Sequence, residues 1–183
     1  MQALANTANC RRQSGLTLIE SLVTLAVSAV VAGTTVPSFQ SAMERHQLEG
    51  AAAQLETDLA LARSAAVAAN RTLRISFESS AAGSCYIIHS GSVANCTCSG
   101  PAAPTCTAPA QAWRSVQFAG DGGVQVQANV RSMVLDPDKG TVSPTGTLSL
   151  VGKHGHGVNV VVNIMGRARQ CTPTPPLLGF RPC

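Results

Sequence analysis

Arg167 and Arg169, two residues apart in Gly166-Arg167-Ala168-Arg169, are the side chains of this sequence whose type and spacing best suit a specific task. In an extended segment, residues two apart project to the same side, so the two guanidinium groups would form a paired claw with Cys171 close behind to hold it. Two planar forks on one rigid edge suit phosphate oxygens better than lysine ammonium groups would. The competing reading is a solvated basic hairpin that keeps its domain soluble. Lys153 and Arg181, with Lys139, are further cations that could assist, and sequence does not place them in space.

Other groups capable of chemistry are sparse. His154 and His156 lie in the run Gly152-Lys153-His154-Gly155-His156-Gly157, which is short enough to be a strand connection. With no third ligand nearby, they suit a solvated turn better than a metal site. Of seven cysteines, Cys10 precedes the long apolar run, which leaves Cys85, Cys96, Cys98, Cys106, Cys171 and Cys183. An even number in an exported segment reads as disulfides, and six thiols leave the connectivity open. The simplest grouping joins Cys171 to Cys183 and keeps the other four among themselves. A metal set of Cys96, Cys98 and Cys106 is the alternative, against which the narrow spacing counts. No Ser-His-Asp order, phosphate-binding loop or His-Glu-x-x-His helix is present. The chain therefore reads as a non-enzyme with no cofactor and no resident metal.

The elements that must carry the claw begin with a long apolar run. From Leu16 to Val36 the only ionisable side chain is Glu20, and a helix of that length suffices to cross a hydrocarbon core of about 30 Å. Arg11 and Arg12 precede it with no acid nearby, so the positive-inside bias keeps the N-terminus cytoplasmic and sends the remainder outward. An acid in mid-membrane costs about 2.5 to 3.5 kcal/mol, so Glu20 needs either a partner or access to the interface. The nearest partner would be a free amine created by cleavage after Gly15, its own or that of a neighbouring subunit. An ordinary secretory signal would be shorter and end in a small-x-small site.

Gly15-Leu16-Thr17-Leu18-Ile19-Glu20 resembles the class III signal of type IV pilins and pseudopilins, in which a prepilin peptidase cuts after the Gly and methylates the new N-terminus. The family usually has Phe as first mature residue, where this chain has Leu16. Pro37 matches the helix-kinking Pro near the end of the family's apolar segment. The stretch 58–66, Asp-Leu-Ala-Leu-Ala-Arg-Ser-Ala-Ala, followed by the strand-like 72–77, resembles the GspH/FimT branch of pseudopilins and minor pilins. Gly166, Arg167 and Arg169 resemble the Gly-Arg-x-Arg motif of FimT-type minor pilins, and that resemblance implies DNA binding during natural transformation.

Beyond Pro37 the residues Leu48, Ala52, Leu55, Leu59, Ala62, Ala66 and Ala69 recur at alternating spacings of four and three, one apolar stripe on a helix that Asn70 would stop. The stripe is narrow and Ala-rich, which suits close packing on a sheet. Period-two alternation then takes over at Leu73 to Phe77, Val124 to Val130 and Val158 to Ile164. Shorter candidates at 86–89, 113–118, 133–135 and 148–151 bring the count to about seven strands. Tyr86 and Trp113 read as core or rim residues. Only 12% of residues are charged and 3% aromatic, so the core must be built from aliphatic side chains and a deep aromatic-lined pocket is not expected. Removing residues 1–15 takes two of thirteen basic residues and none of nine acidic ones, lowering the formal charge from +4 to +2. After Asp138 no acid remains, so the C-terminal quarter is purely basic.

The expected fold class is α+β, a long N-terminal pilin helix, membrane-spanning then amphipathic, packed on an antiparallel β-sandwich-like domain. The expected segments are a cleaved leader 1–15, a transmembrane and filament-core helix 16–39, an amphipathic helix 40–70 and a β-rich periplasmic domain 71–183. The resemblance implies a single-pass inner-membrane protein, with Gly15 and Leu16 as the processing site and Glu20 and Pro37 as assembly residues. Its implied partners are prepilin peptidase, other pilin or pseudopilin subunits, and DNA at Gly166, Arg167 and Arg169 with help from Lys153 and Arg181. The alternative is a GspH-like minor pseudopilin of a type II secretion system, whose basic edge meets other subunits or secreted protein cargo.

Overall fold

The computed structural model describes residues 15, 17–80, 82–98, 103–120, 123–173, 177 and 179–183, without the side chains of 34–38. Cys10, Arg11, Arg12 and Leu16 lie outside the described residues, as does the side chain of Pro37. The chain divides into two compact units, Met1–Gln40 and Ser41–Cys183. One helix, α1 (Leu18–Ala69), contributes its first part to the one and its second part to the other.

In the first unit the helix exposes a run of large apolar side chains, among them Leu18, Ile19, Leu22, Leu25, Val27 and Val30. Three of its hydroxyls are satisfied within the helix: Ser21 Oγ donates to Leu18 O at 2.9 Å, Thr24 Oγ1 to Ser21 O at 2.9 Å and Ser28 Oγ to Thr24 O at 2.7 Å. Such back-bonding removes the need for water at those side chains. Glu20 is exposed in the first turn, where its backbone N–H donates to Thr17 Oγ1 at 3.3 Å. Among the described residues, no helix is long and apolar enough to cross a membrane.

In the second unit the helical stripe is buried at Leu48, Ala52, Leu55, Leu59, Ala62 and Ala66. Ala69, expected on that stripe, is exposed because the helix ends there. Asn70 takes a left-handed conformation with φ 48°, and Arg71 N–H donates back to Ala66 O at 3.0 Å, the pattern of a Schellman stop.

Eleven strands occur among the described residues where about seven were expected, all paired antiparallel within their sheets. They are β1 (Leu73–Ser80), β2 (Gly83–His89), β3 (Cys96–Thr97), β4 (Thr105–Cys106), β5 (Ala112–Ala119), β6 (Val124–Ala128), β7 (Ser132–Leu135), β8 (Val142–Ser143), β9 (Gly146–Gly152), β10 (Gly157–Val162) and β11 (Ala168–Cys171). The additions include the two-residue strands β3, β4 and β8, too short for alternation to reveal, and β11, whose four residues carry no apolar period. One sheet has the order β5-β2-β1-β7-β8, a second β11-β10-β9-β6, and β3 with β4 forms a ribbon. Inward side chains of both larger sheets, including Ile75, Ile88, Leu135, Leu148, Leu150 and Val160, join the helical stripe in a single core. The sheets are tied where Val126 N–H of β6 donates to Ser84 Oγ of β2 at 2.7 Å.

Strand β2 is buried at all seven positions, so it shows no alternation. Its outer face is covered by the cystine-bearing segment that follows, in a small cluster of Cys85, Ile87, Cys96, Cys98 and Ala110. The disulfides are Cys85–Cys98, Cys96–Cys106 and Cys171–Cys183, which removes the metal reading of Cys96, Cys98 and Cys106.

A polar clasp joins helix to sheet. Asp58 is buried, and its Oδ2 accepts from Tyr86 Oη at 2.7 Å and from Arg114 Nε at 2.6 Å. Burial, followed by the hydrogen bond to Asp58 and its negative charge, pushes the Tyr86 phenol far above its ordinary value. Because the folded state raises this pKa, the associated stability is fully present below about pH 10 and is lost as pH rises beyond it. Tyr86 is the single tyrosine, so ultraviolet titration should show no tyrosinate near about pH 10 and a late, cooperative rise that coincides with unfolding. An ordinary titration in the folded protein would contradict the clasp. Asp58→Ala should lower stability by about 3 kcal/mol, read by denaturant unfolding, because a buried hydroxyl loses its acceptor.

Candidate nucleic-acid interface

The claw residues lie at a hairpin. Strands β10 and β11 pair with Val162 opposite Ala168, which leaves Asn163 to Arg167 to turn the chain. Gly166 N–H donates to Asn163 O at 2.9 Å, Asn163 N–H to Arg167 O at 3.1 Å, and Arg167 N–H to Asn163 Oδ1 at 2.9 Å. The strand expected to run to Ile164 therefore ends at Val162, because Asn163 spends its side chain and both backbone groups on the turn. A three-residue loop closing on a left-handed residue is a common hairpin solution.

Gly166 supplies that residue, with φ 69°. A Cβ there would lie 2.9 Å from Arg63 Cδ and 3.1 Å from Val142 Cγ2. Two elements therefore press on the turn from behind. Arg63, on the helix, donates from Nε to Gly140 O at 2.6 Å, and Val142 N–H of β8 donates to Ile164 O at 2.8 Å. The helix, the β7–β8 connection and the hairpin meet at this one point. Arg63 and Gly166 are remote in the chain, so the sequence alone does not reveal the support that one gives the other.

Beyond the turn, β11 is an edge strand, paired on one side only with β10. Arg167 and Arg169 are exposed, while Gln170 turns toward the helix and donates from Nε2 to Glu56 Oε2 at 2.7 Å. Among the described residues, neither Arg167 nor Arg169 has an acidic partner within ion-pair distance. Two residues of extended chain separate their Cα atoms by about 7 Å. The C-terminal end of β11 is stapled by Cys171–Cys183 and by Thr172 N–H donating to Arg181 O at 2.8 Å. Arg181 thus sits at the cystine end of the strand.

Lys153 is not brought to the claw. It lies in the β9–β10 connection, at the end of β10 opposite the Arg167 turn, about 20 Å away along the strand. Its neighbour His154 is engaged elsewhere: His154 N–H donates to Glu44 Oε1 at 2.7 Å, and His154 Nδ1 lies 3.0 Å from Glu44 Oε2. Lys139, by contrast, precedes the Gly140 that Arg63 holds, so it belongs to the claw's end of the molecule, beside the exposed Asp138. Ile164 and Met165, at the hairpin tip, are both exposed, and sequence reasoning had assigned the first of them to a strand.

The family model described as type II transport protein GspH matches residues 51–166, and the prokaryotic N-terminal methylation motif matches residues 10–36. No curated protein matches the chain. A crystal structure of the type IV minor pilin FimU of Pseudomonas aeruginosa strain PAO1 is similar at 21% identity and a TM-score of 0.50, covering 72% of this chain and 96% of that one. A second crystal form of FimU gives 20% identity and a TM-score of 0.48, covering 69% and 98%. At that identity the likeness is one of fold, an N-terminal helix packed on antiparallel sheets. With a family match over 51–166 and the methylation motif ahead of it, the chain belongs to the GspH family and is a minor pilin or pseudopilin of a type IV pilus-like system.

Proposed function

We propose that this chain is a minor pilin of a type IV pilus whose β10–β11 edge captures DNA without sequence preference during uptake. The observation that carries this reading is the pair of exposed arginines without an acidic partner, Arg167 closing the turn and Arg169 on the edge strand β11, braced from behind at Gly166 and stapled beyond at Cys171. The braced backbone presents both side chains from a constant base, guanidinium forks suit phosphate oxygens, and phosphate contacts position a duplex without reading its sequence. Prepilin peptidase would cut after Gly15 and methylate Leu16, and the apolar run from Leu16 to Val36, which extends beyond the described side chains, would hold the subunit in the inner membrane, domain outward, until it joins the filament. There Glu20 would meet the free amine of a neighbouring subunit, and Pro37 would mark the end of the filament-core segment.

The second reading is a minor pseudopilin of a type II secretion system, favoured by the description of the matching family as a type II transport protein. In that case the basic edge meets an acidic surface on another subunit or on secreted cargo. Deletion separates the two: a transformation defect with intact secretion favours the pilus, and the reverse favours the secretion system.

DNA affinity should be weak and salt-dependent, with a log–log slope of about −0.9 per neutralised phosphate on duplex. For the full chain in detergent, Arg167→Ala with Arg169→Ala should reduce affinity at least about tenfold and make the slope shallower by about 1.8. Binding unchanged by the double substitution would remove the claw. Gly166→Ala takes away no charge, yet it should lower stability by about 1 to 3 kcal/mol and weaken DNA binding, because a Cβ at this left-handed position forces the turn off Arg63 and Val142. Full affinity in that variant would show that the brace does not matter to the ligand.

A further inference from the structure

The tip of the β10–β11 hairpin carries Ile164 and Met165 where turns ordinarily carry Gly, Pro, Asn, Asp or Ser. They are 58% and 52% exposed. Burial in this domain does not explain them, and neither does the turn, whose geometry is met by Asn163 and Gly166. The tip is also firmly held. Ile164 O accepts from Val142 N–H, and Gly166 is backed by Arg63, so the two apolar side chains project from a supported loop. Immediately behind them come Arg167 and Arg169.

We propose that Ile164 and Met165 form a wedge that enters between stacked base pairs of duplex DNA from the minor groove, while Arg167 and Arg169 hold the adjoining phosphates. This inference rests on the DNA-binding reading above and adds to it a mode of contact. Apolar side chains, Ile and Met among them, partly unstack a base step and bend the duplex, which brings more backbone against the protein. The Met thioether is polarizable and conforms to a flat aromatic face. A narrow two-residue tip followed at once by cations matches a base step flanked by phosphates. A membrane surface would instead call for a broad apolar face, and the outward side of β11 continues with Arg169. The wedge implies a preference for deformability without base reading: pyrimidine–purine steps such as TA open easily, whereas A-tracts are stiff.

The test uses the full chain in detergent with duplexes carrying 2-aminopurine beside a TA step or within an A-tract. Unstacking should raise the fluorescence at the TA step and leave the A-tract probe dark. Ile164→Ser with Met165→Ser should abolish the rise and weaken binding about fivefold without changing the salt slope, while Met165→Leu retains both. Both side chains are exposed, so the serine variant should melt at the wild-type temperature. Absence of a rise in the wild type, or its persistence in the double serine variant, overturns the wedge, and loss of affinity in the arginine variants would then leave the claw standing. An environment-sensitive fluorophore at position 165 that responds to anionic lipid nanodiscs and not to duplex assigns the tip to membrane and also overturns it. Unchanged DNA binding in Arg167→Ala with Arg169→Ala defeats the functional reading itself, and the wedge with it.

Discussion

The carboxylate of Asp58 is the point from which the second unit is organised. It is buried on the helix, held by the Tyr86 phenol of β2 and the Arg114 guanidinium of β5, and so fixes how far the helix can slide or rotate over the first sheet. Apolar contact alone would leave that register loose, because an Ala-rich stripe offers close approach with little shape to lock. A buried charge demands its partners, and the cost of leaving it unpaired restricts the packing to arrangements that supply both donors.

Other polar links from the same helix repeat that logic along its length. Glu44 receives the β9–β10 turn through His154, Glu56 receives Gln170 of β11, and Arg63 grips Gly140 and backs Gly166. The basic edge is therefore not a free loop. Its position is set by the helix from within and by the Cys171–Cys183 cystine at its far end. Such bracing is what allows an exposed hairpin to present two arginines in a constant relation.

Much of this architecture is legible in the residues. The spacing of Leu48, Ala52, Leu55 and Leu59 marks the buried face, and the alternation at Val124–Ala128 and Gly157–Val162 marks strands with one face in the core. The strand expected at 86–89 is present as β2 but begins earlier, at Gly83, and has no period because a cystine-stapled segment covers its second face. The strands not expected lacked an apolar period of their own: β3, β4 and β8 are too short to have one, and β11 borrows its strand character from β10. Asp58 offered a signal, an acid three residues after Leu55 on the apolar side of the helix, but its partners lie 28 and 56 residues away.

By itself the sequence determined the local facts: an apolar N-terminal run behind a processing motif, an amphipathic helix that stops at Asn70, alternating strands, six cysteines beyond the apolar run, and a C-terminal quarter free of acid. These depend on neighbours within a few residues, where steric preference and hydrophobic period act. Tertiary structure decided which cysteines pair, that Lys153 stands at the opposite end of β10 from Arg167, and that Arg63 of the helix supports Gly166. Such choices rest on contacts between residues remote in the chain, and only the closing of the core brings those residues within reach of one another.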